Sequence, residues 1–342
     1  MLNMGIIGLG YMGTQHLRIL NKIQQDGLFE GFKVTAAADP DTQRLHTISN
    51  EFDLKLSSNP DEIIQSSGID ALIIASPPLY HFEQAAKALN LGKPVYCEKP
   101  LGVNVHQARD LADLAQKSSH QSGLVLRHSP SLNYVKILLD DGVLGNLISC
   151  EFLAHSRMPS LMNYRTDYKL KIAQSGGGIL HEENIHDIDI FHYLFGDFNA
   201  RRIRLDRTDG IEVETGVEAE FLFTNGMEMK YRSLWDPHQE NSVRVLKING
   251  DRGSLETSYF FIGDIHLVTG GTKRVIPVKM SNIEFMAQRG IQLPNRAFKQ
   301  WYSFFADYEF IRSATQGNGC SPSFEDCAKA EERIEELYTQ AQ

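Results

Sequence analysis

Three glycines near the start of the chain have the spacing of a nucleotide-binding loop. Gly8, Gly10 and Gly13 form a G-x-G-x-x-G pattern between a short apolar run and an amphipathic segment. In a strand–turn–helix these glycines permit a tight turn, a close approach of backbone to a pyrophosphate, and close helix packing. Amide groups at the helix start attract the anion. The pattern predicts dinucleotide binding, with Tyr11 and Met12 in the same loop.

An acidic residue follows the second predicted strand, where it could contact a ribose. Asp39 comes directly after the run Val34–Ala38. A carboxylate at this position accepts hydrogen bonds from ribose hydroxyls and repels a 2′-phosphate. Pro40 and Asp41 follow, and the next basic residue is Arg44. We therefore expect NAD to be favoured over NADP, with N-capping of the next helix as the alternative role for Asp39.

The elements that would position these residues alternate along the first part of the chain. Amphipathic stretches separate apolar runs, and the predicted strands are Met4–Ile7, Val34–Ala38, Ala71–Ala75 and Pro94–Cys97. Such alternation is typical of right-handed βαβ units around a parallel sheet. We predict an α/β fold in which residues 1–123 form a Rossmann dinucleotide-binding domain.

The pattern changes after residue 123. Leu147–His155 has the character of a strand, and apolar residues between Val213 and Phe223 alternate with glutamates, which predicts a strand with one acidic face. Asn225-Gly226 and Asn249-Gly250 are hairpin signals. We predict that residues 124–342 form a second α/β domain with an open, mainly antiparallel sheet. Its last helix, over residues 325–340, is a candidate to pack back on the first domain.

Charge and cysteine usage exclude several classes of partner. The net charge of −9, with no cluster of Lys and Arg, argues against nucleic acid. The sequence opens without a signal-peptide pattern, and no apolar run approaches the roughly 18 residues of a membrane helix. The four cysteines form no Cys-x-x-Cys pair. These features predict a cytoplasmic protein with reduced thiols and no membrane partner.

A pair of histidines near the middle of the chain superficially resembles a zinc-protease helix. His181 and His186 are five residues apart, which separates them by roughly 140° around a helix. The zinc motif His-Glu-x-x-His places its ligands four apart on one face. The spacing therefore predicts no metal site.

Several further motifs occur in a fixed order. They are Ala75-Ser76-Pro77-Pro78 with His81, Cys97-Glu98-Lys99-Pro100-Leu101, Arg127 with Pro130, and Gly176-Gly177-Gly178 leading to Glu182, His186 and Asp189. This set resembles the Gfo/Idh/MocA family of oxidoreductases over nearly the whole chain. The resemblance implies an N-terminal Rossmann domain, a C-terminal α/β domain, an active site between them, and a homodimer or homotetramer formed through the open sheet. It also implies hydride transfer between nicotinamide and a hydroxyl-bearing carbon of a sugar, inositol or sugar derivative.

The resemblance assigns catalytic roles to three residues. Lys99 corresponds to the active-site lysine, which would polarise the substrate oxygen. His186 corresponds to the catalytic acid/base, a role suited to a side chain that titrates near about pH 6.5. Glu182 stands where the family usually has Asp, and on one continuous helix it would share a face with His186 and orient the imidazole. Asn184 replaces the usual Gly and is expected to crowd the substrate.

Other positions are expected to bind cofactor or substrate. Besides the glycine loop and Asp39, the candidate cofactor-binding residues are Ser76, Pro77, His81, Glu98 and Lys99. The candidate substrate-binding residues are Lys99, Arg127, Tyr164, Arg165 and His186. The plainer alternatives are a surface lysine for Lys99, an interior histidine for His186, a first-turn carboxylate for Glu182, a helix-start residue for His81, and a solvated loop for Tyr164 and Arg165. Two other functions stay open, an enzyme that uses tightly bound NAD transiently in glycoside oxidation–elimination, and a non-catalytic NAD-sensing regulator.

Overall fold

The computed structural model describes residues 1–161, 167–239, 242–258, 263–278, 301–317 and 319–341. The described chain divides into two compact units. Unit 1 comprises Met1–Val125 and the described residues from 301 to 331. Unit 2 comprises the described residues from 126 to 278 and from 332 to 341. In the described ranges, no helix combines the length and the apolar character needed to span a membrane.

Unit 1 is built on a six-stranded parallel sheet in the order β3-β2-β1-β4-β5-β6. The strands are β1 (Leu2–Ile7), β2 (Phe32–Ala38), β3 (Lys55–Ser57), β4 (Ala71–Ile74), β5 (Val95–Cys97) and β6 (His120–Ser122). The helices are α1 (Tyr11–Gln25), α2 (Thr42–Ser49), α3 (Pro60–Ile64), α4 (Pro78–Asn90), α5 (Val105–Ala115) and α10 (Trp301–Gln316). A last helix, α11 (Phe324–Gln340), has residues in both units.

The central strands of unit 1 are continuous apolar runs because helices cover both faces of the sheet. Met4, Ile6 and Ile7 of β1 are fully buried, as are all four residues of β4. The predicted α/β class with a Rossmann-type parallel sheet is confirmed.

Two strands of this sheet, β3 and β6, were not predicted from the sequence. The edge strand β6 is His120-Gln121-Ser122, which has no apolar residue to signal a buried strand. Its polar groups are bonded to a distant part of unit 1: the Gln121 amide donates to the Ala306 carbonyl at 3.0 Å, and the Ser122 N–H donates to the Pro322 carbonyl at 2.9 Å. Such long-range partners leave no local pattern.

Unit 2 contains an eight-stranded sheet in the order β14-β13-β12-β11-β7-β10-β9-β8. Neighbours are antiparallel except β7 and β10, which are parallel. The strands are β7 (Leu147–Arg157), β8 (Phe198–Arg207), β9 (Glu214–Phe223), β10 (Glu228–Asp236), β11 (Val243–Gly250), β12 (Gly253–Ser258), β13 (Ile265–Thr269) and β14 (Thr272–Ile276). The helices are α6 (Pro130–Asp140), α7 (Ile172–Ser175), α8 (Ile179–Glu182) and α9 (Ile185–Phe195), with 3₁₀ turns at Val125–His128, Pro159–Leu161 and Asp167–Leu170.

The two faces of the unit 2 sheet differ in chemistry. On one face Phe152 and Tyr231 pack against Phe191 of α9, with ring centroids 4.9 and 5.3 Å apart. The opposite, open face carries Glu218, whose carboxylate lies 3.0 Å from Arg204 and 3.4 Å from Arg232. A groove of about 660 Å³ runs along this open face. The alternation in β9 confirms the predicted strand, although Glu214 at its start is buried instead of joining the acidic face.

Candidate active site

The glycine loop joins β1 to α1 with the geometry that the spacing predicts. Gly8 has φ +88°, and a Cβ there would lie 2.7 Å from the Ser76 amide nitrogen. A Cβ on Gly13 would lie 1.7 Å from the Gly8 carbonyl oxygen. A Cβ on Gly10 would meet nothing within 4 Å in the described chain, so this side of the loop is open to a bound phosphate. Tyr11, which starts α1, is exposed.

The Asp39 side chain is buried and hydrogen-bonded to this loop. It is 2% exposed, and its carboxylate accepts from the Leu9 N–H at 2.7 Å and the Asp41 N–H at 2.8 Å. Arg44 Nη1 lies 3.2 Å from the same carboxylate. The alternative role of Asp39 as a helix N-cap is wrong, because Asp41 caps α2 by accepting from the Gln43 and Arg44 amides.

His81 ties the turn after β4 to the segment after β5. Its ring is buried, with Nδ1 2.6 Å from the Pro100 carbonyl oxygen and Nε2 2.6 Å from the Ser76 carbonyl oxygen. Carbonyl oxygens only accept, so a ring nitrogen that bonds to either of them must carry the proton. His81 therefore links Ser76 to Pro100, which directly follows Lys99 in the chain.

Glu98, directly before Lys99, belongs to a buried charged triad. His16 of α1 is 0% exposed, with Nε2 3.0 Å from Glu98 and Nδ1 2.6 Å from Asp307 of α10. The second Glu98 oxygen accepts from the Lys99 N–H at 3.3 Å. Burial lowers the pKa of His16, but Asp307 and Glu98 outweigh burial and raise it to about 10. Burial raises the pKa of Glu98, and His16 more than offsets this, so that it lies below the ordinary value.

The His16 triad predicts a pH-dependent stability. Because the folded-state pKa is raised from 6.5 to about 10, the stabilisation is complete below about pH 6.5 and is lost as pH rises through about 10. A shift of one pKa unit corresponds to about 1.4 kcal/mol of folding free energy, so protonated His16 stabilises the fold by a few kcal/mol. Thermal midpoints across this range should fall more steeply for the wild type than for His16→Gln. His120→Gln in the same unit is the control, and parallel curves for wild type and His16→Gln would contradict the assignment.

Of the three consecutive glycines of unit 2, Gly176 ends α7 in the left-handed region with φ +81°, and the other two are required by close packing. A Cβ on Gly177 would lie 2.4 Å from the Tyr338 hydroxyl, and one on Gly178 would lie 2.1 Å from the Glu214 carbonyl oxygen. One Glu214 carboxylate oxygen accepts from the Gly178 and Leu180 amides at 3.0 Å each and from Tyr338 at 2.7 Å. The amides at the start of α8 thus bind a protein carboxylate, which the sequence patterns did not indicate.

Glu182 and His186 do not lie on one helix. The helix α8 ends at Glu182, a turn follows at Glu183 and Asn184, and α9 begins at Ile185. The expectation that they share one helical face is therefore wrong. Glu182 is 1% exposed, and its carboxylate lies 3.4 Å from Lys169 Nζ. His186 is half-buried in the first turn of α9.

The remaining predicted positions fall into three groups. Arg127 forms an ion pair with the buried Asp189 of α9. Both Nε and Nη2 of Arg127 donate to the Asp189 carboxylate, and Nε lies 2.9 Å from one of its oxygens. His181 has Nδ1 2.9 Å from the Ser175 carbonyl oxygen. Tyr164 and Arg165 lie outside the described residues. In the described ranges, no three His, Cys, Asp or Glu side chains are grouped as metal ligands.

Asn184 is buried and does not occupy an open pocket. Its amide donates to Ser233 at 2.7 Å and to Asp187 at 3.2 Å. The expected crowding of a substrate is not the role that these contacts indicate. Asn184 instead belongs to a polar cluster with Glu183, Asp187 and Arg244, none of which was among the predicted site residues.

The fold and the loop define a class, a dinucleotide-binding α/β protein with a second, mixed-sheet unit. A model of the oxidoreductase family with an NAD-binding Rossmann fold matches residues 2–124, and a model of the GFO/IDH/MocA C-terminal domain matches residues 132–256. The chain therefore belongs to the Gfo/Idh/MocA oxidoreductase family and carries its NAD-binding domain.

Relatives share modest identity with this chain. Inositol 2-dehydrogenase of Agrobacterium fabrum is 24% identical over 93% of this chain and 88% of the relative. Oxidoreductase P35 of Formosa agariphila is 31% identical over 60% of this chain and 64% of the relative. The 2,7-anhydro-N-acetylneuraminate hydratase of Escherichia coli is 27% identical over 58% of this chain and 50% of the relative. The matches thus span about two thirds or less of the latter two proteins.

Solved structures share the whole fold. Levoglucosan dehydrogenase in complex with NADH and L-sorbose superposes with a TM-score of 0.87 at 21% identity, covering 100% of this chain and 97% of the other. The gentamicin biosynthesis protein GenD2 in complex with NAD superposes with a TM-score of 0.80 at 18% identity, covering 99% and 94%. At these identities the likeness establishes the fold.

Proposed function

We propose that this protein is an NAD-dependent dehydrogenase that transfers a hydride between nicotinamide and a hydroxyl-bearing carbon of a sugar, an inositol or a related polyol. The observation that carries the proposal is the anchoring of Lys99 in an NAD-binding unit. The N–H of Lys99 is bonded to Glu98, and Glu98 is held in turn by the buried His16. Similarity to relatives such as inositol 2-dehydrogenase supports the substrate class.

Three side chains share the chemistry in this proposal. The nicotinamide, when bound, supplies the hydride acceptor. Lys99, as a cation, polarises the substrate oxygen and favours the developing negative charge. His186 removes the hydroxyl proton in oxidation and returns it in reduction. Glu182, whose charge is balanced by Lys169, orients substrate or imidazole from its buried position.

Asp39 is the residue that we expect to select NAD. Its carboxylate accepts from the Leu9 N–H of the loop and pairs with Arg44, a cation that could attract a 2′-phosphate once Asp39 is removed. Asp39→Ala should weaken NADH binding and release Arg44, so that the preference for NADH over NADPH falls by about tenfold or more, the value of one charge-assisted contact. Fluorescence titration with both cofactors measures this.

The control for Asp39→Ala is Asp41→Ala. It removes the cap of α2 but not the carboxylate beside the loop. Asp41→Ala should leave the ratio of the two affinities at the wild-type value. An unchanged ratio in Asp39→Ala would remove Asp39 from the cofactor site.

The proposed reaction is tested by screening substrates. Purified protein is incubated with NAD or NADP and a panel of polyols, inositols, sugars, sugar acids and nucleotide sugars, and the near-ultraviolet absorbance of NADH or NADPH is followed. We expect NAD reduction with at least one member. Failure to bind NADH, measured by fluorescence, would refute the proposal.

A second candidate keeps the same residues but returns the hydride to the product. The relative named as a hydratase makes this worth testing. Tightly bound NAD would then be reduced and reoxidised within one turnover, and no free NADH would accumulate. Retention of Lys99 and His186 favours either enzyme over a non-catalytic NAD-sensing regulator.

We also propose a homodimer or homotetramer formed through the open face of the unit 2 sheet. That face carries both signs of charge, with Glu218 between Arg204 and Arg232, so a second copy can pair acid with base. Light scattering should give a mass of two or four times 38.6 kDa. Glu218→Arg, which turns the centre of this face into like charges, should shift the protein towards monomer. A monomeric wild type would contradict the proposal.

A further inference from the structure

Arg244 lies at the centre of a buried polar cluster beneath the turn between α8 and α9. Its Nε is 3.2 Å from Asp187, and Nη2 is 3.2 Å from Glu183. The Arg244 side chain is 10% exposed and that of Asp187 is 0% exposed. Arg244 shares the covered face of β11 with the buried Leu246 and Ile248. Burying a guanidinium in a row of apolar side chains costs free energy unless the charge is paired.

Side chains from β7 and β10 complete the bonding of both carboxylates. Tyr231 donates to Asp187 at 2.9 Å, and Trp235 donates to Glu183 at 2.7 Å. Ser156 donates to Glu183 as well. Since β7 and β10 are parallel, their carboxyl ends meet here and bring Ser156 beside Trp235. The sheet thus holds Glu183 and Asp187 through four side chains.

When Arg244, Glu183 and Asp187 are all ionised, the two carboxylates outnumber the single guanidinium, and one negative charge is left uncompensated. Burial raises the pKa of Asp187 above the ordinary value even though Arg244 opposes it. Burial also raises the pKa of Glu183, but Arg244 and Ser156 outweigh it and hold the pKa below the ordinary value. Removing the guanidinium would leave the buried Asp187 and the partly buried Glu183 without their cation, which is strongly unfavourable.

We propose that Arg244 is a positioning residue for His186, acting through Glu183 and Asp187. These two carboxylates lie three residues before and one residue after His186, so fixing them fixes the helix break and the first turn of α9. Asn184 extends the same cluster by bonding Asp187 and Ser233. The inference rests on the proposed function, because it takes His186 to be the acid/base.

The kinetic test compares Arg244→Met with Arg244→Lys. Arg244→Met should lower kcat by about 10²-fold, the cost of a small misplacement of a catalytic group, with no change in NADH affinity. Arg244→Lys, which keeps the charge, should recover part of this loss. Arg201→Met is the control, because Arg201 lies on β8 of the same sheet and forms an exposed ion pair with Glu228 of β10. A wild-type kcat in Arg244→Met would overturn the proposal.

A second readout needs no turnover. Labelling of His186 by diethyl pyrocarbonate, followed by peptide mass spectrometry across pH, reports its titration. In the described chain, the charged residues that lie within four positions of His186 include Glu182, which pairs with Lys169, and Asp189, which pairs with Arg127. The midpoint should move to higher pH in Arg244→Met, which removes a cation, and to lower pH in Asp187→Asn, which removes an anion.

The two readouts separate the failure of each proposal. If the labelling midpoint of His186 shifts in opposite directions in Arg244→Met and Asp187→Asn but the wild type has no dehydrogenase activity, the positioning role stands and the proposed dehydrogenase function is refuted. An active wild type whose labelling midpoint stays fixed in both variants would refute the positioning role alone. If Arg244→Met does not fold, Arg244→Lys and the near-isosteric Asp187→Asn carry the same comparison.

Discussion

Replacement of His186 by alanine is expected to lower kcat by about 10²- to 10⁴-fold, the range for loss of a general acid/base. The affinity for NADH should not change, because the glycine loop and Asp39 belong to unit 1 and His186 belongs to unit 2. Steady-state kinetics on a substrate found in the panel, with fluorescence titration of NADH, measure both quantities. An external imidazole should restore part of the lost rate.

His192→Gln is the matched control for His186→Ala. His192 lies on the same helix, α9, and its ring packs on Phe198 with centroids 4.8 Å apart. Burial lowers the pKa of His192 and so disfavours its charged form. A loss of kcat in His192→Gln as large as that in His186→Ala would show that the effect is structural.

Replacement of Lys99 by methionine is expected to lower kcat/KM by about 10²- to 10³-fold, comparable to the removal of one electrostatic donor at a reacting oxygen. Methionine keeps the length and apolar stem of the side chain, so the backbone bond to Glu98 should persist. Lys99→Arg keeps the charge and should lie between methionine and wild type. Kinetics with the same substrate measure this.

The control for Lys99 is Lys87→Met. Lys87 forms ion pairs with Asp61 and Glu83 at the surface of the same unit, and exposed pairs contribute little. Thermal midpoints of both variants should stay close to the wild type. A fully active Lys99→Met would remove the lysine from the mechanism.

The local part of the site could be predicted from sequence. Gly8 adopts a positive φ within the strand–turn–helix itself, and a Cβ on Gly13 would meet the Gly8 carbonyl oxygen of the same motif, so the glycine spacing is sufficient to reveal the loop. Asp39 follows a buried strand and reaches Leu9 of that loop. The α/β class was likewise predictable, because buried parallel strands are continuous apolar runs.

The supporting part of the site depends on partners far away along the chain. His16 is 291 residues from Asp307, and Arg244 is 57 residues from Asp187. Such pairs follow from the packing of helices on sheets and leave no periodic trace. The break between α8 and α9 also escaped prediction, since Glu183 is drawn towards Trp235 and Ser156 of the sheet. A single helix was expected where two occur.

The catalytic assignments of Lys99, Glu182 and His186 came from resemblance and stay predictions. In the structure each of these residues has a polar or charged neighbour. Glu98 accepts from the Lys99 N–H, Lys169 pairs with Glu182, and the Arg244 cluster includes residues on either side of His186 in the chain. A buried ionic network is retained at a cost in desolvation, so its presence beside a proposed catalytic residue is consistent with a requirement for fixed geometry. Variants of the network distinguish a requirement for fixed geometry at the catalytic residue from a contribution to folding stability alone.

The central claim, net hydride transfer from substrate to free NAD, is tested most directly by following deuterium. A substrate identified in the panel is deuterated at its hydroxyl-bearing carbons and incubated with NAD, and the released NADH and the product are analysed by mass spectrometry. We predict one deuterium in each NADH formed, with oxidised product and NADH in equal amounts. Deuterium retained in the product, with no NADH released, would contradict the dehydrogenase and establish transient use of bound NAD.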